Sequence, residues 1–316
     1  MEELTRKKVK IRLGVILSII IILFIAFSIF IGKATFDGMT NNVSREETNK
    51  ELISYKEVYD EFAEGKDSKE IKIKSSEDGH EIPAVFIKNP QAKGICLMVH
   101  GMGGTKYSLS TQGQIFYDLG YSILIYDQRN SGENLLPYNT FGVLESFDCL
   151  DAIDYIKQEY PDSKIILYGE SYGGATSLIA ASRDSSNIDY LILDCPLGDS
   201  REMVDKVLAK VEKEQNVPQG FMRFMGNIFL KMKLGFSLED IDSTKWASQA
   251  DISSPVLVIN SKADTMTPYH MGREVYDSIK SSKKEIYTGE DFGHCEFSKK
   301  DPEGFKNLIS TFLEKY

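Results

Sequence analysis

The sequence predicts an α/β fold, in which a mostly parallel sheet is covered by helices on both faces and one transmembrane helix comes before it. Three observations lead to this prediction. Short apolar runs alternate with helical patterns from about residue 69 onward, a charge-free run lies near the N-terminus, and a serine flanked by glycines separates a strand pattern from a helix pattern. The 316 residues have room for one large domain and an additional segment.

The N-terminal region predicts a membrane anchor. Residues 1–12 contain five lysines and arginines, and residues 13–32, twenty in all, contain no charged residue. A helix of this length matches the hydrocarbon thickness of a bilayer, and basic residues before the span favour a cytoplasmic N-terminus. We therefore expect a single-pass protein of the cell membrane whose folded domain lies outside the cytoplasm. A cleaved signal peptide is the alternative, although its small-x-small cleavage site is poorly matched.

Residues 33–65 are polar and charged, and we expect them to form a tether followed by a surface helix. The folded domain is expected over residues 66–316. Its first part, residues 69–90, alternates apolar and polar residues around a Glu-Asp-Gly turn, which is typical of a β-hairpin. Six further strand patterns end at Gly101, Asp127, Gly169, Cys195, Ser261 and Gly289. Strands that alternate with helical stretches predict a mainly parallel sheet between two helix layers.

Residues 196–250 interrupt this alternation. They contain two or three helical patterns and no strand pattern, and their middle is rich in methionine and phenylalanine. We expect a small helical cap above the sheet, and an ordinary pair of packing helices is the alternative.

Charge and cysteine content exclude some classes of function. The net charge of −10 gives no basic surface for phosphates, so a nucleic-acid partner is not expected. The four cysteines form no C-x-x-C pair, so their spacing indicates neither a zinc site nor a disulfide framework. Three of them lie in or beside apolar runs and are expected in the core. The fourth, Cys295, stands next to His294.

The stretch from Gly169 to Gly173 predicts a nucleophile. It places Ser171 between an apolar strand pattern and a helical pattern, in the order Gly-x-Ser-x-Gly of the strained turn called a nucleophile elbow. Glycines two residues to either side leave out the β-carbons that would collide where strand and helix approach. The alternative is a chance match, because many strand-to-helix turns contain glycine and serine.

A serine hydroxyl needs a base, and the sequence contains four histidines. His294 follows the last strand pattern, at the edge where a parallel sheet places its ligands, and it is the predicted base. His270 at the start of a helical pattern remains the alternative. His80 lies in the hairpin turn, and His100 opens the glycine-rich stretch "HGMGG".

The base needs an acid that orients it, and three aspartates follow strand patterns. Asp264 is the predicted acid, because it gives the chain order Ser, Asp, His. Asp194, one strand earlier, is the alternative. Asp127 precedes the serine and is expected to hold its own loop through hydrogen bonds or a pair with Arg129.

Acyl transfer also needs donors for the negative charge that develops on the carbonyl oxygen. The backbone N–H of Tyr172 is one predicted donor, since it follows the nucleophile directly. The glycine-rich loop after the third strand pattern supplies the other, and Met102 is its predicted donor. The residues expected to shape the site without reacting are His100, Gly101, Gly103, Gly169 and Gly173.

Five motifs together resemble the α/β-hydrolase superfamily: "HGMGG", "YDQRNSG", "GESYGG", "INSKADTMTP" and "FGH". They occur in that family's order over Lys69 to Tyr316, and the chain looks most like membrane-anchored bacterial hydrolases of the serine aminopeptidase and Bem46-type branches. The resemblance implies an eight-stranded sheet, hydrolysis through an acyl-enzyme, and no metal or organic cofactor. The motif "YDQRNSG" lacks the histidine or second glycine that relatives often have.

These features predict a membrane-tethered serine hydrolase that cleaves carboxylic esters. Its expected partners are an acyl or other small-molecule substrate and the lipid bilayer around the N-terminal helix. The methionine- and phenylalanine-rich insertion favours apolar substrates, because methionine side chains adapt to varied shapes. Two alternatives remain: a hydrolase of amide or peptide bonds, and a non-catalytic binding module that keeps the fold.

Overall fold

The structure is a computed structural model that describes residues 2–41 and 43–316. Two compact units make up the chain. The smaller unit contains the residues up to Thr40 and the segment Glu202–Leu238. The larger unit contains the segments Asn41–Arg201 and Glu239–Tyr316. The larger unit holds the sheet.

Within the described residues, eight strands form a single sheet in the order β1-β2-β4-β3-β5-β6-β7-β8. β2 runs antiparallel to its neighbours β1 and β4, and the other neighbouring pairs are parallel. This arrangement confirms the predicted fold class. The strands are β1 (Asp67–Lys74), β2 (Glu81–Lys88), β3 (Gly94–Val99), β4 (Ser122–Tyr126), β5 (Lys164–Glu170), β6 (Tyr190–Asp194), β7 (Val256–Ser261) and β8 (Lys284–Gly289).

The described residues also form eleven helices. They are α1 (Glu2–Thr40), α2 (Arg45–Ala63), α3 (Ser110–Asp118), α4 (Glu145–Glu159), α5 (Tyr172–Arg183), α6 (Arg201–Gln215), α7 (Gln219–Leu234), α8 (Ser243–Gln249), α9 (Tyr269–Ser278), α10 (Phe297–Lys300) and α11 (Pro302–Lys315).

Each face of the sheet carries its own hydrophobic core, because successive side chains of a strand point to opposite faces. In β3, Leu97 packs with buried residues of α4, α5, α8 and α9, whereas Met98 packs with buried residues of α2, α3 and α11. The central strand β3 is therefore apolar and buried along its whole length, as expected for a sheet covered on both faces.

The register of the parallel strands brings several loops to one edge of the sheet. The end of β3 pairs with β5 at Gly169, and the last residue of β5 pairs with Asp194 at the end of β6. Ser261 of β7 likewise pairs with Gly289 of β8. Because these strands all run in the same direction, the loops that follow them meet at their carboxyl ends. This edge holds the candidate site.

The smaller unit is built on α1. Among the described residues, this helix region is the one long and apolar enough to cross a membrane, with a window of mean hydropathy 3.1. The helix has 39 residues, so it extends beyond the charge-free residues 13–32 at both ends. At 1.5 Å per residue it is about 58 Å long, about twice the hydrocarbon thickness of a bilayer.

Helix α7 packs along the C-terminal half of α1 within this unit. The rings of Phe27 and Phe221 stack with their centroids 6.3 Å apart. A Cβ added at Gly226 would lie 2.6 Å from Cγ2 of Thr35, so the two helices meet closely at this glycine. Part of the methionine- and phenylalanine-rich segment that the sequence analysis interpreted as a cap therefore contacts α1. Phe224, on α7, remains 63% exposed.

Candidate active site

Ser171 lies at the turn between β5 and α5 in a strained backbone conformation. Its φ of 55° and ψ of −116° fall in a region that residues with a side chain rarely adopt. Its N–H donates to the carbonyl oxygen of Asp194 over 2.8 Å, and its own carbonyl accepts from Gly174 and Leu197 over 2.9 and 3.2 Å. These bonds hold the sharp turn against the cost of its conformation.

The flanking glycines permit the close contact on which the turn depends. A Cβ added at Gly169 would collide with the carbonyl oxygen of Gly173 and with Oγ of Ser177. A Cβ at Gly173 would collide with the carbonyl oxygen of Val99, at the end of β3. The start of α5 thus lies directly against β3 and β5, and a larger side chain at either glycine would push them apart.

The structure brings the three predicted catalytic residues together. Nε2 of His294 lies 2.8 Å from Oγ of Ser171, and Nδ1 of His294 lies 2.7 Å from Oδ2 of Asp264. Ser171 is half-buried, Asp264 is buried, and the side chain of His294 keeps 23% of its surface exposed. The imidazole therefore connects a buried carboxylate with the hydroxyl of a partly exposed serine.

Asp264 is held by its own loop. Its Oδ1 accepts from the backbone N–H groups of Met266 and Thr267, and its Oδ2 accepts from the hydroxyl of Thr267 over 2.8 Å. The Thr267 oxygen also lies 3.2 Å from Nδ1 of His294. Thr267 is not among the residues predicted from the sequence. Its position three residues after an aspartate, where a threonine hydroxyl can reach the carboxylate in a turn, was the available signal.

Neighbouring acids favour the charged form of the imidazole. Burial lowers the pKa of His294, but the hydrogen bond and negative charge of Asp264 outweigh it, so the pKa is raised above its ordinary value. For Asp264, burial raises the pKa and the contacts with His294 and Thr267 lower it, with a net decrease. Burial raises the pKa of Glu170 to about 7 and that of Asp194 to about 6. The negative charge that these two carboxyls carry when ionised further stabilises imidazolium.

The glycine-rich loop after β3 lies beside the nucleophile. A Cβ at Gly101 would be 3.4 Å from Cβ of Ser171, and Met102 is the next residue of this loop. His100 anchors this loop: its Nε2 accepts from the N–H of Gln128 over 3.1 Å, so its Nδ1 carries the proton donated to the Gly101 carbonyl over 2.7 Å. Burial lowers the pKa of His100 to about 4, which keeps it neutral and structural.

Gly103 and Tyr172 complete the loop and the first turn of α5. Gly103 has a φ of +79°, a left-handed conformation that glycine adopts without strain. The side chain of Tyr172 points into the core, where its hydroxyl donates to Glu145 over 2.9 Å. Its backbone N–H belongs to the first turn of α5, where amides have no partner within the helix.

The alternative residues of the sequence analysis lie elsewhere. His270 is exposed on α9, and His80 contacts Asp78 in the hairpin turn. Asp194 accepts from the Tyr168 hydroxyl over 2.8 Å rather than from an imidazole. Asp127 holds its loop by accepting from the backbone N–H groups of Lys106 and Glu133, over 2.6 and 2.9 Å.

The pair with Arg129 was the second way in which Asp127 could hold its loop, and Arg129 pairs with a different acid. Arg129 donates through Nε and Nη2 to both carboxylate oxygens of Asp148, over 2.9 and 2.8 Å. A planar guanidinium matches a carboxylate in this two-bond geometry, and the helix α4 supplies that carboxylate.

Two family models match this chain. The family described as alpha/beta hydrolase fold matches residues 96–244, and the family described as TAP-like protein matches residues 238–315. YqkD of Bacillus subtilis, described as uncharacterized, is 24% identical over 314 residues that cover 98% of this chain and 97% of YqkD.

Two further comparisons involve proteins with a described activity. The lysophosphatidylserine lipase ABHD12 of Mus musculus is 27% identical over 229 residues, which are 65% of this chain and 53% of the mouse protein. The chain therefore spans about half the length of ABHD12. The solved structure of the Pyrococcus furiosus esterase Pf2001 superposes with a TM-score of 0.61 at 20% identity, covering 79% of this chain and 93% of the esterase. At this identity the similarity concerns the fold.

Proposed function

Because the chain belongs to the α/β-hydrolase superfamily, we propose that it is a membrane-tethered serine hydrolase that cleaves carboxylic esters. One observation carries the serine mechanism: an uninterrupted path of short contacts runs from Ser171 through His294 to Asp264, with distances of 2.8 and 2.7 Å. Such a path lets a neutral imidazole take the serine proton while its other nitrogen keeps donating to the carboxylate.

In this proposal the hydroxyl oxygen of Ser171 attacks the carbonyl carbon of the ester, and Nε2 of His294 accepts the hydroxyl proton. Asp264 stabilises the imidazolium that forms. His294 then returns the proton to the leaving alkoxide, and a water molecule hydrolyses the resulting acyl-enzyme by the same route.

The backbone N–H groups of Tyr172 and Met102 are the proposed donors for the oxyanion. The first belongs to the start of α5 and the second to the loop that Gly101 brings against Ser171. Donors held in place before the reaction stabilise the tetrahedral intermediate, and each contributes about 3 kcal/mol in comparable sites.

The name of a relative supports an ester as substrate. Mouse ABHD12 is described as a lysophosphatidylserine lipase, and a lipase hydrolyses carboxylic esters. An amide or peptide bond is the second candidate within the same mechanism, since one triad cleaves both bond types.

We also propose that α1 anchors the protein in the cell membrane, with its N-terminus in the cytoplasm. The apolar side chains of residues 13–32 support the span, and the basic residues of segment 1–12 support the orientation. Only 11% of the most apolar 18-residue window of this helix region is buried by other parts of the protein, which fits contact with lipid.

A fluorophosphonate probe tests the nucleophile. The full-length protein in detergent should be labelled covalently, because the probe reacts with an activated serine hydroxyl. The variant Ser171→Ala should not be labelled, whereas Ser182→Ala, which changes another serine near the end of α5, should be labelled as fast as the wild type. Mass spectrometry of the labelled peptide identifies the site. An unlabelled wild-type protein with an intact thermal transition would favour the non-catalytic binding module.

Thr267 is a positioning residue in this mechanism, and its hydroxyl can be tested separately. Replacing Thr267 by valine removes a hydrogen bond to the charged Asp264, which should slow fluorophosphonate labelling about tenfold. Thr267→Ser should restore the rate, because it keeps the hydroxyl. The matched control Thr265→Val changes an exposed threonine of the same loop and should have no effect. Equal rates for all three variants would exclude a role for this hydroxyl.

Chromogenic substrates distinguish ester from amide hydrolysis. The full-length protein should hydrolyse p-nitrophenyl esters and leave aminoacyl arylamides intact, with Ser171→Ala as the blank. A series of acyl chain lengths then reports the preferred size of the acyl group through kcat/KM. Rapid arylamide cleavage without ester turnover would contradict the ester assignment while leaving the serine mechanism standing.

Protease accessibility tests the orientation. Protease added to intact cells should digest residues 43–316 and spare an epitope tag placed before residue 1, since the folded domain is proposed to lie outside. Digestion of the domain only after the cells are lysed would reverse the proposed orientation.

A further inference from the structure

A cluster of metal-ligating atoms lies beside the nucleophile. Cys195 follows β6, and Cys295 follows His294 in the loop after β8. The sulfur atoms of the two cysteines and a ring nitrogen of His294 all lie within 4.8 Å of one another. No zinc site was expected from the sequence, because no two cysteines stand close together along the chain, yet the fold brings together two that are 100 positions apart.

We propose that Cys195, His294 and Cys295 form a binding site for a thiophilic divalent cation of the Zn²⁺ class, and that its occupation reversibly silences Ser171. Two sulfurs and one imidazole nitrogen are ligand types that Zn²⁺ prefers, and three protein ligands with one open position are a common set for this ion. The fourth position is left to solvent.

The separation of the ligand atoms fits such an ion. Sγ of Cys295 lies 3.6 Å from Nε2 of His294. Bonds of about 2.3 Å to sulfur and 2.0–2.1 Å to nitrogen, at a tetrahedral angle, would place the two ligand atoms about 3.5 Å apart. This pair therefore needs almost no movement, and the remaining sulfur needs at most a shift of about 1 Å to complete the set.

Backbone conformation sets these two buried cysteines apart from the other two. Cys195 is 4% exposed and Cys295 is 7% exposed, and the side chain of His294 beside them keeps 23% of its surface exposed. Both cysteines have positive φ angles, 46° and 52°, which cost energy for a residue with a side chain. Cys96 and Cys149 lie in the cores on the two faces of the sheet.

The proposed step involves no oxidation or reduction. Each thiol releases its proton to solvent as its sulfur bonds to the metal ion, and Nε2 of His294 donates its lone pair to the same ion. That lone pair is the one that accepts the Ser171 proton in the proposed mechanism. Loss of activity therefore rests on the proposed function, whereas binding of the ion does not.

Binding is measured first without reference to activity. Full-length Ser171→Ala protein, reduced and in detergent, is titrated with Cd²⁺, which replaces Zn²⁺ at sulfur sites. We expect one equivalent to produce the ultraviolet sulfur-to-cadmium charge-transfer band. Cys195→Ala and Cys295→Ala should each weaken this binding more than about 100-fold, since even outer partners of a metal ligand contribute 10- to 100-fold. The matched control Cys96→Ala should leave it unchanged.

Inhibition is measured next on the wild-type protein. Zn²⁺ should block fluorophosphonate labelling of Ser171, EDTA should restore it, and Cys295→Ala should be labelled equally with and without Zn²⁺. Absence of the charge-transfer band, a band that survives both cysteine variants, or a mass lower by two hydrogens that reveals a Cys195–Cys295 disulfide would overturn the metal site. A normal band together with an unlabelled wild-type protein would instead refute the proposed function and leave the metal site intact.

Discussion

The strained backbone at Ser171 is the constraint on which the rest of the site depends. A conformation with positive φ at a residue with a side chain costs on the order of 1–3 kcal/mol, so its surroundings must maintain it. The hydrogen bond to Asp194 and the contact of Gly173 with the end of β3 do so. Gly173 also contacts the carbonyl oxygen of His100, so the same packing holds the chain just before Gly101 against the start of α5.

The charges around His294 follow from where the strands end. Glu170 and Asp194 end neighbouring parallel strands, and Asp264 follows a third, so the carboxyl edge of the sheet gathers three acids near one imidazole. Three fully ionised buried carboxylates would be costly to desolvate. Burial instead raises the pKa of Glu170 and Asp194 toward neutrality, while hydrogen bonds keep Asp264 ionised. Asp264, the carboxyl that contacts the imidazole, is therefore the one of the three that stays ionised to the lowest pH.

The three catalytic residues could be predicted from motifs and from the positions of strand ends. Contacts that depend on the paths of loops or on the packing of helices could not. Ser171 sits in a short pattern of glycines, and His294 and Asp264 both follow strand patterns. Asp194 follows a strand as well, and the chain order Ser, Asp, His decided in favour of Asp264. The proximity of Cys195 and Cys295 has no such signal, because it depends on the exact loop paths after β6 and β8. The contact of α7 with α1 was equally hidden, since its apolar residues repeat at the spacing expected of any core helix.

The contact between α1 and α7 gives the N-terminal helix a second role besides its proposed attachment to the membrane. An anchor that only attaches a domain to the membrane could be removed without exposing other surfaces. In this chain, Phe27 stacks on Phe221 and Thr35 meets Gly226, so α1 is also the packing partner of a helix from the insertion. Close approach at small residues is a common way for helices to pack in membranes, where the hydrophobic effect contributes little between apolar surfaces. A chain that lacked α1 would expose an apolar face of α7 to water, and its behaviour would not represent that of the intact protein.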